Sequence, residues 1–471
     1  MTTHQTQPQN YSLWQLFKLS LKDNHQRDYT QGSIGHAAFL LAIPMILEMA
    51  MESVFAVTDI FFVSFLGAEA VSIVGLTEAV ITLLYAVAIG LSMAVTATIA
   101  RRFGEKSNEK AFSVAGQTLI IGLFFGLLIG IPGFIYAKDI LRFMGASFDV
   151  IEQGYSYTRI MLGGSTTILY LFLISAIFRG AGDATIAMRS LWIANSINII
   201  LDPLLIFGIG IFPEMGIEGA AVATNIGRGV GVLYQLYHLF GFKNRIQLNL
   251  SHLKPHLNTI QQLLKLSVGG ILQFFIATAS WVWLVRIVST YGSDAVAGYT
   301  IAIRVIMFTI LPAWGMSNAV ATLVGQNLGA GLASRAEKSV WRIAKYNVIF
   351  MVTVAIIFLS LAPQIIGLFS TDVAVIQYGV ECLRFIGLGF GFYGLGMVLV
   401  QAFNGAGDTL TPSKINFFCY WLFQIPLAYA LAKYFELGPT GVFLAITISE
   451  SIIALVGIII FRQGKWKLKT V

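Results

Sequence analysis

Three carboxyl groups share one face of the first long apolar segment of the chain. Glu48, Glu52 and Asp59 fall within an arc of about 40° if this segment is a helix with about 100° per residue. Ionisable groups inside an apolar span are rare and usually face a cavity or a partner, so each is a functional candidate. Glu48 and Glu52 repel each other when both are ionised, and structural pairing of these two acids is an equally good interpretation. Pro44 removes a backbone hydrogen bond and favours a bend in the same helix.

A second polar group interrupts the fifth apolar segment. Asn198 and Asp202 are four residues apart and therefore share a helix face. Pro203 leaves the carbonyl of Ile199 without its usual amide partner. Together with Thr224 on the next segment, these groups offer the hard oxygen ligands that suit H⁺ or Na⁺. Hydrogen bonding of the two side chains to a neighbouring helix is the alternative interpretation.

The composition requires these groups to be positioned by membrane-spanning helices. Of the 471 residues, 56% are hydrophobic and only 11% are charged, with a mean hydropathy of +0.77, whereas soluble proteins have about 25% charged residues. Several apolar runs exceed the roughly 20 residues that cross a bilayer as a helix, and no alternating β-barrel pattern is present. The sequence predicts an all-α polytopic membrane protein with twelve spans, at about 37–63, 70–99, 112–136, 155–178, 186–212, 216–241, 262–289, 295–325, 341–368, 377–404, 412–433 and 440–461.

The twelve spans form two copies of one unit. The sequence Gly-Ala-Gly-Asp occurs at 180–183 and again at 405–408, and residues 90–95 correspond to 315–320 at the same offset. A constant offset over such a length indicates a duplication. Because six spans is an even number, the copies are parallel repeats related by an axis along the membrane normal, with a cleft between two lobes.

The repeated Gly-Ala-Gly-Asp sequences end spans 4 and 10. Glycine ends a helix because it tolerates positive φ, and the following aspartate can accept backbone N–H bonds at the start of the next helix. A phosphate cradle would need a longer glycine-rich loop and a lysine. We therefore interpret both sequences as tight structural turns.

The charged residues differ between the two copies. The position equivalent to Asp59 is Leu284, and span 7 offers Gln273 and Arg286 instead. Glu78 on span 2 and Arg304 on span 8 lie at similar depth. We hypothesise that Glu78 pairs with Arg304 or with Arg286 to close the outer mouth of the cleft; pairing within one lobe is an equally good interpretation.

The distribution of basic residues predicts the topology. Most of the 30 Lys and Arg residues lie in the termini and in the loops after even-numbered spans, which places both termini in the cytoplasm by the positive-inside rule. The net charge of +7 thus reflects topology, not nucleic-acid binding. Residues 1–30 are polar and contain no cleavable-signal pattern, so span 1 is expected to act as its own insertion signal. The predicted parts are an N-terminal segment 1–36, an N-lobe 37–242, a cytoplasmic linker 243–261 with a short amphipathic helix, a C-lobe 262–461 and a basic tail 462–471.

Cysteine and histidine usage argues against a metal centre or an enzyme. Cys382 and Cys419 fall in or beside spans and are expected to be buried free thiols. None of the six histidines occurs within a span beside a nucleophile or a metal ligand. We expect no catalytic residues and no cofactor other than a coupling ion.

The chain resembles the multidrug and toxic compound extrusion (MATE) family. The resemblance covers nearly the whole chain and is carried by Pro44 with Asp59 fifteen residues later, by Arg-Arg-Phe-Gly at 101–104, by residues 198–203, and by the two Gly-Ala-Gly-Asp turns. It implies a MATE-like fold and export of organic, cationic amphiphilic compounds driven by inward H⁺ or Na⁺.

The resemblance also implies roles for individual residues. It places cation coupling, with Na⁺ as one candidate ion, on Asp59, Asn198, Asp202 and Thr224, and the helix bend on Pro44. Glu48, Glu52, Glu78, Gln273, Arg286 and Arg304 are accessory candidates. The acids that the NorM-like branch uses in spans 7 and 10 are replaced here, which makes the chain more similar to the DinF-like branch.

The cellular setting follows from the same resemblance. We expect a monomer in the inner (cytoplasmic) membrane that transports small molecules. A flippase for a lipid-linked saccharide precursor is the alternative function, although a pyrophosphate would require several cations in the cleft.

Overall fold

The computed structural model describes residues 12–22, 28–241 and 245–470, and each of the twelve predicted spans is largely helical. Spans 4 and 10 are each broken into two helices, at Gly164 and at Gly389. Span 11 contains two π-helical stretches, Phe417–Gln424 and Ala430–Tyr434. The twelve spans are Ile34–Ser64, Ala68–Gly104, Asn108–Ile135, Phe148–Gly163 with Ser165–Ala181, Ala184–Ile206, Ile217–Phe240, Leu257–Ser289, Ser293–Gly329, Ala333–Gly367, Val373–Leu388 with Phe390–Gly405, Leu410–Tyr434, and Pro439–Arg462.

The lengths and apolarity of these helices are those of membrane-spanning helices. Ten of them are long and apolar enough to cross a bilayer by themselves, and the two halves of span 10, bent by 56°, form an eleventh crossing. Span 6 has 24 residues and is the twelfth. Large apolar side chains remain exposed along the outside of the bundle, for example Phe124, Leu128 and Ile356, as expected where the surrounding solvent is lipid.

The first halves of spans 1 and 7 pack against the opposite lobe. Leu41 and Met45 of span 1 belong to a buried cluster with Val320 and Val340 of the C-lobe. Conversely, Leu263 of span 7 belongs to a buried cluster of the N-lobe. The sequence predicts six spans per lobe, each lobe with its own interior. The structure corrects this, because the first half of span 1 packs in the interior of the C-lobe and the first half of span 7 packs in the interior of the N-lobe.

The lobes are closed together at the face on which the described segments 12–22 and 465–470 lie, which we call the terminal face. There Thr322 Oγ1 donates to the carbonyl of Arg179 at 2.9 Å, and Gln326 Nε2 donates to the carbonyl of Gly180 at 3.0 Å. Gly104 lies so close to the Gln326 carbonyl that a Cβ atom could not fit between them. Span 8 of the C-lobe is thus held directly against spans 2 and 4 of the N-lobe.

The two Gly-Ala-Gly-Asp sequences form tight turns, as predicted. Gly182 and Gly407 have φ values of +89° and +85°, which L-amino acids with a side chain rarely adopt. Asp408 Oδ1 accepts from the amide of Thr411 at 3.4 Å, and its Oδ2 accepts from the Thr411 hydroxyl at 2.9 Å. Asp183 does not cap its helix in this way, so the predicted role of the aspartate holds in the second copy only.

The linker, the N-terminal segment and several span boundaries differ from the prediction, with spans 4, 7 and 9 beginning at Phe148, Leu257 and Ala333 instead of residues 155, 262 and 341. The described part of the linker contains a single four-residue 3₁₀ helix, Leu250–Leu253, held by Gln117 Nε2, which donates to the carbonyl of His252. The amphipathic helix lies instead near the N-terminus, at Leu13–Ser20, where Ser12 and Gln15 form a capping box. Span 5 ends at Ile206 instead of residue 212, because glycines with positive φ follow at 208 and 210.

The basic tail folds back onto the terminal face. Trp466 is buried and stacks on Phe461 with ring centroids 4.7 Å apart. Arg101 of span 2 donates to the carbonyl of Lys469, whose Nζ lies 3.5 Å from Asp408. The tail therefore links the N-lobe to the second Gly-Ala-Gly-Asp turn.

Candidate functional site

A cavity of about 430 Å³ opens within the N-lobe and extends to the boundary with the C-lobe. The acidic face of span 1 forms one wall, and spans 2, 4 and 6 form most of the remainder. Six aromatic side chains give it an apolar, aromatic lining: Phe55, Tyr85, Tyr157, Phe172, Phe274 and Trp314. A cavity with apolar walls and few polar groups is the usual form of a site for organic molecules.

Glu48 lies at the inner end of the cavity and is paired. Its Oε1 is 2.6 Å from Nη1 of Arg179, and both side chains are buried. Such a buried pair is disrupted only at high cost, because loss of one partner leaves the other charge uncompensated. Of the two interpretations open for Glu48, the geometry supports a structural ion pair.

Glu52 and Asp59 line the same cavity farther from the terminal face. Glu52 accepts a hydrogen bond from Asn195 Nδ2 at 3.3 Å. Asp59 is partly exposed, and its charge interacts with those of Glu78 and Arg228. The predicted acidic face of span 1 thus does line the cavity, with one acid paired and two available to an occupant.

The polar groups of spans 5 and 6 form a buried cluster. Asn198 Nδ2 donates to Asp202 Oδ1 at 3.1 Å and to Thr224 Oγ1 at 3.0 Å. Asn198 Oδ1 and Asp202 Oδ2 are buried without a hydrogen-bond partner among the described residues. Because buried oxygens are normally satisfied, the two free acceptors fit a small cation. The charge of Asp59 on span 1 interacts with that of Asp202, so the cluster is electrostatically connected to the cavity.

The remaining sequence candidates lie in different places. Glu78 lines the cavity, but the described residues contain no ion pair joining it to Arg304 or to Arg286, both of which are exposed. The charge of Arg304 does interact with that of Glu78. Gln273 is buried in span 7 with an unpartnered Oε1. The outer-mouth pairing stays a prediction for a state in which this side is closed.

Pro44 occupies the junction between two environments of span 1. The helix runs through it without interruption from Ile34 to Ser64. Residues up to Ile46 pack on the C-lobe, whereas residues from Glu48 onward line the N-lobe cavity, so the change of environment follows Pro44 by less than one helical turn. A proline removes one backbone hydrogen bond at this junction, so span 1 is weakened at the point where it passes from one lobe to the other.

Two charged residues within spans were missed from the sequence. Arg228 on span 6 lines the cavity, and its Nη2 donates to the Tyr85 hydroxyl at 2.9 Å. Glu450 on span 12 accepts from the Tyr420 hydroxyl at 2.9 Å. Arg228 lies twelve positions after Gly216, the positive-φ glycine that precedes span 6 (228 − 216 = 12). Glu450 lies twelve positions after Gly438, the positive-φ glycine that precedes span 12 (450 − 438 = 12). The two lobes therefore carry opposite charges at equivalent positions.

The family model described as MatE matches residues 44–204 and, a second time, residues 269–430. The chain belongs to the MatE family. The second match begins 225 residues after the first (269 − 44 = 225), which confirms the repeat predicted from the Gly-Ala-Gly-Asp turns. MatE proteins are membrane transporters and not enzymes, so the chain is a transporter and its cavity is not an active site.

The relatives of this MatE protein match it almost end to end. The probable multidrug resistance protein NorM of Thermotoga maritima is 29% identical over 433 residues, which is 92% of this chain and 93% of the relative. The multidrug export protein MepA of Staphylococcus aureus is 23% identical over 448 residues, 93% of this chain and 96% of the relative. These names do not decide between the NorM-like and DinF-like branches.

A solved MATE structure shares the fold. A multidrug resistance MATE family transporter, described as being in the outward-facing conformation, superposes with a TM-score of 0.89 at 27% identity, covering 95% of this chain and 100% of that one. In this chain the terminal face is closed, and the opposite halves of the cavity-lining helices are partly exposed.

Proposed function

We propose that this MatE protein exports organic, cationic amphiphilic compounds by antiport with H⁺ or Na⁺, and that Asp59, Asn198, Asp202 and Thr224 bind the coupling ion. The observation that carries the proposal is the buried oxygen cluster of spans 5 and 6. Two of its oxygens have no partner among the described residues, and the charge of Asp202 interacts with that of Asp59 at the cavity wall.

The cavity supports a cationic, apolar cargo. Of its four acids, Glu48 is neutralised by Arg179, which leaves Glu52, Asp59 and Glu78 against the single cation Arg228. Aromatic walls attract organic cations through their π faces. The relatives are named for multidrug resistance or export, and an aromatic cavity without a rigid polar template suits varied cargo.

The coupling proposed here links the ion to span 1. An ion drives a conformational change only if it binds the two states differently. When a cation neutralises Asp59 and Asp202, the cavity loses negative charge and its hold on a cationic cargo weakens. Span 1 can then rearrange at Pro44, where its packing passes from one lobe to the other. Cargo leaves toward the open side, and the lobes rock to open the terminal face.

The orientation and setting are part of the proposal. The basic loops place the terminal face in the cytoplasm by the positive-inside rule, so the open side of the cavity faces outward. We expect a monomer in the cytoplasmic membrane. A flippase would need several free cations in the cleft to bind a pyrophosphate. Arg286 and Arg304 do not line the cavity, and Arg179 is paired with Glu48, so we do not favour this alternative.

Efflux of a fluorescent cation from proteoliposomes tests the proposal. Transport is measured under a pH gradient alone and under a Na⁺ gradient alone, for the wild type, Asp59→Asn, Asp202→Asn and the exposed control Asp149→Asn. We expect one gradient to drive efflux in the wild type and the control, and neither to do so in the two variants. Full gradient-driven efflux by Asp59→Asn and Asp202→Asn would refute the proposal.

A further inference from the structure

Arg228 is a buried cation in the cavity wall that the proposed coupling does not use. It is 8% exposed and lies on span 6, which faces the acids of span 1 across the cavity. Gly227 fixes this position, because a side chain there would collide with the carbonyl of Ala194 on span 5. The close contact between spans 5 and 6 therefore turns Arg228 toward the cavity.

The guanidinium group has hydrogen-bonding capacity left over. Nη2 donates to the hydroxyl of Tyr85 at 2.9 Å, while Nη1 is buried without a partner among the described residues. The group also lies 5.8 Å from the ring centroid of Phe55. A guanidinium carries five N–H donors, and a buried donor left unpaired is unfavourable because its hydrogen bonds to water are lost without replacement. An acceptor brought in by an occupant would relieve that cost.

The cavity thus presents both signs of charge on different walls. Glu52 and Asp59 project from span 1, and their charges interact with that of Arg228 on span 6. None of the ion pairs within the described residues joins Arg228 to these acids. Arg228, Glu52 and Asp59 all line the cavity together with aromatic side chains, so one occupant can contact both signs of charge.

We propose that Arg228, together with the Tyr85 hydroxyl, is a subsite for a carboxylate, so that the cavity accepts zwitterionic amphiphiles in addition to purely cationic ones. The planar fork of arginine matches a carboxylate with two parallel hydrogen bonds, whereas an ammonium group on the same molecule can bind at Glu52 and Asp59. The inference rests on the proposed function only in taking the cavity as the cargo site, and it requires no coupling ion.

A matched pair of dyes tests this subsite. Rhodamine 110 carries a free carboxylate and is a zwitterion, and rhodamine 123 is its methyl ester and a cation. Binding of each dye to purified protein in detergent is measured by fluorescence anisotropy for the wild type, Arg228→Met, Arg228→Lys, Tyr85→Phe and the exposed control Arg159→Met. The readout is the ratio of the two dissociation constants, which does not depend on the fraction of protein that is folded.

We expect Arg228→Met to shift this ratio about tenfold or more against rhodamine 110, since hydrogen bonds to charged groups contribute about 1.5–3 kcal/mol. Arg228→Lys should retain part of the preference, because it keeps the charge without the fork. Tyr85→Phe should shift the ratio less, and Arg159→Met should not shift it.

Equal ratios for the wild type and both Arg228 variants would overturn the subsite, as would a wild type that binds the ester but not the acid. Because no ion gradient is imposed, these outcomes are separate from a failure of ion-coupled efflux. A normal dye ratio with no gradient-driven transport would contradict the proposed coupling and leave the carboxylate subsite standing.

Discussion

Glu48 on span 1 and Arg179 near the end of span 4 form a buried ion pair, with 2.6 Å between Oε1 and Nη1. The same arginine uses its backbone carbonyl to accept a hydrogen bond from Thr322 of the C-lobe. One residue therefore ties the inner end of the cavity to the contact that closes the terminal face. The first acid of span 1 serves the architecture of the N-lobe, and the later two line the cavity without an ion pair among the described residues.

Neutralising one partner of this pair should destabilise the protein more than neutralising both. Glu48→Gln leaves Arg179 as an uncompensated buried charge, which costs roughly 3–5 kcal/mol. The double variant Glu48→Gln with Arg179→Gln removes both charges and should recover part of the loss. Thermal unfolding in detergent, followed by intrinsic fluorescence, gives the ranking. Wild-type thermal stability in Glu48→Gln would show that the pair contributes nothing.

The oxygen cluster allows a matched test at Thr224. Thr224→Ser keeps the hydroxyl that accepts from Asn198 at 3.0 Å, whereas Thr224→Val removes it and retains the shape. Loss of one buried hydrogen-bond partner costs roughly 1–3 kcal/mol and leaves Asn198 free to turn away from Asp202. We expect gradient-driven efflux near the wild-type level in Thr224→Ser and at least tenfold slower in Thr224→Val.

Efflux is compared at equal amounts of reconstituted protein, with thermal unfolding as the check on folding. If the valine and serine variants transport at the same rate, the hydroxyl of Thr224 is not part of the coupling site.

The closed terminal face depends on a glycine. An alanine at Gly104 would collide with the carbonyl of Gln326 on the opposite lobe, whereas Gly75 on the same helix has open space around it. Gly104→Ala should therefore push the lobes apart at the terminal face, and Gly75→Ala should not.

The readout is labelling by a membrane-impermeant thiol reagent of a cysteine introduced at Thr322, which bridges the lobes at this face. In the proposed orientation, the terminal face is cytoplasmic and inverted vesicles expose it to the reagent. We expect labelling several-fold faster with Gly104→Ala than with Gly75→Ala. Equal rates would mean that the contact between Gly104 and Gln326 does not hold the terminal face closed.

The spans and turns of the fold can be predicted from the sequence, because each of them has a local sequence signal. Apolar length predicts the spans to within a few residues at most boundaries, and glycine followed by aspartate predicts the turns at Gly182 and Gly407. The crossing of the first half of span 1 into the C-lobe leaves no such signal. Its residues Leu41 and Met45 are apolar in either arrangement, and only three-dimensional packing decides which lobe buries them.

The site was predicted less completely for a similar reason. Asp59, Asn198 and Asp202 stand out because they occur in groups at helical spacing. Arg228 and Glu450 are isolated charges, and the rule that an ionisable group within a span is a functional candidate applies to them equally. The sequence does not show which neighbouring helices each of these side chains faces. The sharing of one cavity by Arg228 with Glu52 and Asp59 emerges only from the packing of span 6 against span 5.

Glu450 permits a final prediction about the C-lobe, where its carboxylate accepts from the Tyr420 hydroxyl at 2.9 Å. No basic side chain forms an ion pair with it within the described residues. Glu450→Gln keeps an oxygen acceptor for Tyr420 and removes a charge that lacks a counterion, so thermal stability should stay equal or rise. Glu450→Leu leaves the hydroxyl unpaired and should lower stability by about 1–3 kcal/mol.

Thermal unfolding in detergent gives the order, with Tyr420→Phe as the control that removes the donor instead. A glutamine variant as unstable as the leucine variant would mean that the negative charge of Glu450, and not its hydrogen bond, stabilises the C-lobe.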